Sequence, residues 1–159
     1  MQDLFQNYAH LIVFIHVLGA IIWIGGMIAV RVAVHPVMQS IEDPGIKLGK
    51  TLEITARLFN LVMIFVILIV VTGLIMAIAL GGHQGPDKAI FIFKEIIWTV
   101  MALNYTYMYI KRIRAQRRFN AGDLAGAKAL VANIPNLLLP INIALGLVAV
   151  WLGISLRGF

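Results

Sequence analysis

Three ionisable side chains sit inside or at the edge of long apolar runs: His16, Arg31 and Lys94. Placing such a group in hydrocarbon costs about 2.5–3.5 kcal/mol on insertion scales, so each is a functional candidate by default. His16 carries an imidazole, which in its neutral form ligates iron or copper. Gly19, Trp23 and Gly26 follow it at i+3, i+7 and i+10, all on the same helical face. Glycine beside an intramembrane imidazole removes bulk where a flat ligand, or another helix, comes close. The plain alternative is helix packing, with His16 hydrogen-bonded to a neighbouring helix.

Lys94 opens the third apolar run. It either shares a site with His16 or lifts its ammonium to the headgroups. Arg31 closes the first run and either holds an anionic group or anchors the helix at the interface. His35, next to Pro36, reads as an interfacial anchor. His10 lies about 120° around the helix from His16, so one helix does not aim both at one centre. His83 lies in a Gly-rich loop that can fold over the site, which makes it a candidate metal ligand with His16. Thr72, Asn104, Tyr105 and Asn142 are expected to hydrogen-bond between helices, at about 0.6 kcal/mol each. Met63, Met76 and Met101 can in principle offer thioethers to haem iron or Cu(I), but mid-span methionine ordinarily packs.

The elements that position these residues follow from composition. Of 159 residues, 61% are hydrophobic and 13% charged, and mean hydropathy is +0.93. A water-soluble domain carries about 45–50% apolar and about 25% charged residues, so this chain is an integral membrane protein. Spanning takes about 20 apolar residues. Four runs qualify, at about 8–34, 58–80, 90–110 and 134–156, giving an all-α four-helix bundle in one transmembrane domain. Pro36 and the Asp43-Pro44-Gly45 turn bound the first loop, and Gly81 to Pro86 form the second. Arg112 to Gly122 open the third. The first run is too long for the core of a signal peptide and is read as retained.

Lys47, Lys50 and Arg57 mark the first loop, with Arg31 at its edge. Lys111, Arg112, Arg114, Arg117, Arg118 and Lys128 mark the third. The second loop offers Lys88, and the C-terminus Arg157. The positive-inside rule places the first and third loops in the cytoplasm, so both termini face out. Segment 46–57 is expected to extend the second span inward as an amphipathic turn or two and 123–133 to form a short helix, both at the membrane surface. The excess of 13 Lys+Arg over 7 Asp+Glu thus reports topology, and nucleic-acid binding is excluded for want of a basic domain. Cysteine is absent, which excludes disulfides, iron–sulfur clusters, thiolate metal sites and covalent haem attachment. There is no Walker, GxSxG or HExxH motif, and no carboxylate lies deep in a span. Gly146 and Gly153, on one face of the fourth span, permit a homodimer.

The stretch His16-Val-Leu-Gly-Ala-Ile-Ile-Trp23-Ile-Gly-Gly26 resembles the first-helix motif shared by HemJ-type protoporphyrinogen oxidases and CopD-type copper-resistance membrane proteins. Phe93-Lys94-Glu95 is similar to the lysine that begins the equivalent helix in both groups. Ile134-Pro135-Asn136 resembles a HemJ-type segment before the last helix. The resemblance implies a bacterial inner-membrane protein in which His16 ligates haem b, with Gly19, Trp23 and Gly26 lining the cofactor. Lys94, and Arg31 with it, would then act in catalysis. HemJ-type enzymes oxidise a porphyrin precursor and pass electrons towards quinone and the respiratory chain. Val30-Arg31 and Val34-His35-Pro36 depart from the HemJ-type pattern and lean towards the CopD type.

Three functions therefore stand side by side. The first is a haem-b redox protein, with Lys94, Arg31 or Arg57 meeting the haem propionates. The second is a copper-handling protein using His10, His16, His83 and methionines. The third is a non-catalytic membrane assembly subunit.

Overall fold

A computed structural model of the chain describes residues 2–156, apart from the side chains of Gln2 and Leu4; Arg157 lies outside the described residues. Among these residues the chain is helical, with no strand. The elements are α1 (Gln2–Ala29), a π-helical turn (Val30–Val34), α2 (His35–Gln39), α3 (Pro44–Ala79) and α4 (Lys88–Asn120). They are followed by α5 (Leu124–Val131), a second π-helical turn (Ile134–Leu138) and α6 (Leu139–Ser155).

Four helical stretches are long and apolar enough to cross a membrane: Phe5–Gln39, Pro44–Ala79, Lys88–Asn120 and Leu124–Ser155. Only α-helices or closed barrels satisfy their backbone polar groups inside lipid, which is why these runs are helical whatever their propensities. α1 packs on α3, α3 on α4, α4 on α6, and α6 back on α1. Short connections make each neighbour antiparallel. The core of this ring holds Trp23, Met27, Phe59, Val62, Val66, Ile97, Met101, Tyr105, Met108 and Leu139. Many large apolar side chains face outward, Ile21, Ile64, Leu103 and Trp151 among them, as a lipid-facing surface requires.

The first helix does not stop at Pro36. Proline has no N–H to donate, and a regular α-helix would also clash there. Here the preceding turn widens, with the His35 N–H bonding to the Val30 carbonyl five residues back. Pro36 then falls in the first turn of α2, where an N–H is not needed. The same device joins α5 to α6, with Pro135 in the second π-helical turn and Pro140 in the first turn of α6.

Segment 46–57 extends the second span, as expected, and 124–131 forms the short helix α5. α3 has 36 residues and α4 has 33. At about 1.5 Å per residue each exceeds the hydrocarbon thickness of about 30 Å. Both therefore project past the bilayer at the end carrying the basic loops, called here the basic end. Residues 46–57 continue the second span as the start of α3, and α5 folds back against α4 and α3. Leu48, Leu52, Ala115 and Ala127 form a second small core there, with Phe119, Leu130 and Val131 around it.

Caps end the helices. Asp43 accepts the Ile46 N–H at 2.7 Å to start α3, with Pro44 at the first position. α3 finishes in a Schellman motif: Gly82 N–H bonds to the Ala77 carbonyl and Gly81 N–H to Ile78. Gly81 has φ +63°, a left-handed conformation that suits glycine. Asp123 starts α5, accepting the Gly126 N–H at 2.8 Å while Arg118 donates to its other oxygen at 2.7 Å.

Inside the bundle, Asn142 is fully buried. Asn104 donates to Asn142 Oδ1 and to the Leu138 carbonyl, both at 2.8 Å, and Asn142 donates to the Met101 carbonyl at 3.2 Å. Tyr105 donates to the Phe59 carbonyl, and Tyr109 to Asn60 at 3.0 Å. The expected interhelical roles of Asn104, Tyr105 and Asn142 are thus met, tying α4 to both α6 and α3. Asn142→Leu should lower unfolding stability by about 1–2 kcal/mol, read by detergent titration with circular dichroism. No loss would show that the network contributes only geometry.

The Gly126 N–H, and then Arg118, hold the Asp123 carboxyl below its ordinary value of 3.8. A lowered folded value means that its support for α5 is complete above the ordinary range and is lost as pH falls through the folded value. Protection factors for amides 124–131, corrected for intrinsic exchange, should therefore drop selectively in acid. Asp123→Ala should show the same drop at neutral pH.

Candidate functional site

His16 lies on α1, half-buried against α3. Its Nδ1 is 3.0 Å from Thr72 Oγ1. The Thr72 hydroxyl has one hydrogen, and its contact with the Leu68 carbonyl at 2.6 Å places that hydrogen on the backbone. The oxygen is then left to accept, so the hydrogen-bond network assigns the imidazole proton to Nδ1. The Ile69 carbonyl, 3.2 Å from the same hydroxyl, is a further acceptor for the ring. Nε2 is therefore the nitrogen turned away from Thr72, on a ring whose orientation is set from behind. Metal-ligating histidines are commonly held in this way by a second group.

Gly73, next to Thr72, lets the ring lie against the α3 backbone. A Cβ there would be 3.4 Å from His16 Cε1. Lys94 on α4 reaches across the bundle to α6. Its Nζ lies over Gly153 of α6, 3.0 Å from where a Cβ would stand. All four spanning helices thus contribute to one region: His16 from α1, Thr72 and Gly73 from α3, Lys94 from α4 and Gly153 from α6. Lys94 turns towards α6 near its C-terminus, where a cation also meets the negative end of the helix dipole.

Other expected site residues are used differently. A Cβ on Gly19 would come 2.6 Å from Ile69 Cγ1, and one on Gly26 2.9 Å from Leu58 Cδ1. The face that they share with His16 is filled by α3 side chains. Trp23 is 3% exposed and meets Tyr105 edge-on at 5.8 Å. These three pack against neighbouring helices, and the Trp23 indole N–H is buried without a hydrogen-bond partner among the described residues.

Arg31 stands fifteen residues beyond His16 on the same helical run, about 22 Å along the axis. It belongs to the basic end, on the first π-helical turn, and does not share a centre with Lys94. His83 is engaged at the surface, with Nε2 3.1 Å from Glu95 Oε2. His10 is exposed. Among the described residues no group of three or more His, Asp or Glu comes together as a metal cluster. Arg57 pairs with Glu53 at 3.0 Å on the exposed surface of α3. On α6, Gly146 is filled by Ile24 and Met101, and Gly153 by Lys94. That glycine face, offered above as a dimer surface, serves the interior of a single bundle.

The pairing of His16 with Thr72, and the place of Gly73, escaped the sequence reading. A depth count carries the signal. His16 and Thr72 each lie eight residues inside the far ends of their runs, at Tyr8 and Leu80. Antiparallel neighbours at equal depth can meet.

These features define a small multi-pass membrane protein with one imidazole-centred polar region, in the half of the bundle away from the basic end. No family model, curated protein or solved structure matches the chain.

Packing of α1 on α3 yields a paired test. Gly19→Ala forces a methyl onto Ile69 and should cost about 1–3 kcal/mol of stability. Gly25 has nothing within 4 Å of its Cβ position. Gly25→Ala should be neutral or gain up to about 1 kcal/mol from helix propensity. Equal losses at both positions in a thermal melt would contradict the close contact at Gly19.

Proposed function

We propose that this protein is a haem-b-binding membrane redox protein, with His16 as the axial ligand to iron. The observation that carries the reading is the Nδ1–Thr72 hydrogen bond at 3.0 Å, which orients the imidazole and leaves Nε2 as the nitrogen for a metal. Lys94, in the same half of the bundle, is the cation suited to a propionate. When bound, haem b supplies one-electron chemistry. The chain's own part is to hold the ring tautomer through Thr72, to keep bulk away through Gly73, and to place a positive charge through Lys94. The resemblance of the His16–Gly26 stretch and of Phe93-Lys94-Glu95 to HemJ-type proteins supports the same reading. It suggests a porphyrin precursor as substrate, quinone as electron acceptor and the bacterial inner membrane as location.

Copper handling of the CopD type is the second reading, favoured by Val34-His35-Pro36. It needs several soft or imidazole ligands at one point, and His10, His16 and His83 have separate surroundings here. A single oriented imidazole suits haem better. The third reading, an assembly subunit, requires no cofactor.

A reduced-minus-oxidised absorption spectrum of the purified protein separates them. Sharp α and β bands on reduction are expected. His16→Ala should abolish the Soret band, and His35→Ala should leave it largely intact. Thr72→Val should retain haem but loosen it and shift its midpoint potential. Stoichiometric copper without these bands would favour the second reading, and neither signal would favour the third. Unchanged haem in His16→Ala would remove this residue as ligand.

A further inference from the structure

We propose that the groove between α4 and α5 at the basic end binds the headgroup of an anionic phospholipid. It is lined by Lys111 and Arg118 of α4 and by Gly126, Ala129 and Leu130 of α5, and holds about 300 Å³. Lys111 and Arg118 are seven residues apart, two turns, so they share a face.

The same face continues into the membrane as an ordered stripe. Leu103 and Tyr107 precede Lys111 at intervals of four, and Ile110 adjoins them; all three are exposed. From hydrocarbon to water the stripe therefore reads apolar, aromatic, cation, cation. That is the sequence of chemistry along a phospholipid: acyl chain, glycerol interface, phosphate. Lys111 follows the last residue of the third apolar run, so it stands at the hydrocarbon boundary, with Arg118 about 10 Å beyond.

Two contacts hold the cations in place. Lys111 Nζ lies 5.1 Å from the Tyr107 ring centroid, which keeps the ammonium at the boundary. Arg118 gives one N–H to Asp123 at 2.7 Å. A guanidinium has five N–H donors, so a fork remains for a phosphate. Lys128, exposed on α5, adds positive charge nearby.

A second groove at this end provides the contrast. It is lined by Gly45, Ile46, Gly49, Lys50, Glu53 and Phe119. Its one cation, Lys50, is paired with Glu53 at 3.3 Å, whereas the first groove sets two cations, Lys111 and Arg118, against the single carboxylate of Asp123. Size is similar, but charge is not. A protein partner would find the α4 stripe submerged in lipid, whereas a phospholipid meets it from within the leaflet.

The test uses the full chain in phosphatidylcholine nanodiscs containing phosphatidylglycerol, with bound lipid counted by native mass spectrometry after release. Phosphatidylglycerol should be enriched over its share of the bilayer. Lys111→Gln and Arg118→Gln should each lower that preference about fivefold, the effect of one cation near an anionic surface. Arg118→Lys should keep most of it, and Lys50→Gln should leave it unchanged. Circular dichroism checks that each variant is folded, and Lys111→Gln leaves the Arg118–Asp123 pair untouched. No enrichment in the parent protein would overturn the proposal. So would an equal loss in Lys50→Gln, which indicates a diffuse surface potential. Displacement of the lipid by soluble glycerophosphate would indicate a free-anion site instead.

Discussion

Hydrocarbon offers no hydrogen-bonding partner, so a polar group carried into the bilayer is costly unless the protein itself satisfies it, as it does for most groups here though not for the Trp23 indole N–H. That constraint makes the spans helical, and it accounts for nearly every polar contact in the bundle. Asn104 and Asn142 satisfy each other and two backbone carbonyls. The Tyr105 hydroxyl bonds to the Phe59 carbonyl, and Thr72 bonds back to Leu68. The same constraint lets His16 stay among apolar residues. Its Nδ1 bonds to Thr72, and Nε2 is the nitrogen left on the other side of the ring.

Proline shapes the two long discontinuous spans for a related reason. Removing an N–H inside a helix orphans a carbonyl, and a sharp break would orphan more. A widened turn before Pro36, and another around Pro135, keep the chain helical while it changes direction. Both lie at the basic end, where the spans pass from lipid to the projecting helical head. The far end differs: α3 ends in a glycine cap, and the short loop after it returns the chain into α4. The protein is thus polarised along its axis. One end holds an imidazole and a lysine inside the bundle, and the other holds exposed cations around a small helical core.

Much of this was legible in the residues. Four apolar runs and the distribution of Lys and Arg specify spans and their alternation, because transfer into lipid depends on local composition alone. His16, Lys94, Asn104, Tyr105 and Asn142 were recognisable since a polar residue in an apolar run needs a partner somewhere. Which partner was not legible. Gly19 and Gly26 illustrate the difficulty: a small residue beside an intramembrane histidine looks the same whether a ligand or a helix fills the space, and here Ile69 and Leu58 fill it. Gly146 and Gly153 look equally suited to a dimer until Ile24, Met101 and Lys94 occupy them.

The amino-acid sequence alone determined the membrane class, the number of spans and which polar residues lie within them, since each of these depends on the energy of moving a segment from water to oil. Tertiary structure alone decided that His16 meets Thr72, that Arg31 and Lys94 are far apart, and that α5 packs on α4 and α3. Those outcomes depend on the rotation and depth of each helix relative to its neighbours. Rotation and depth are set by side-chain packing across the whole ring, which no single segment encodes.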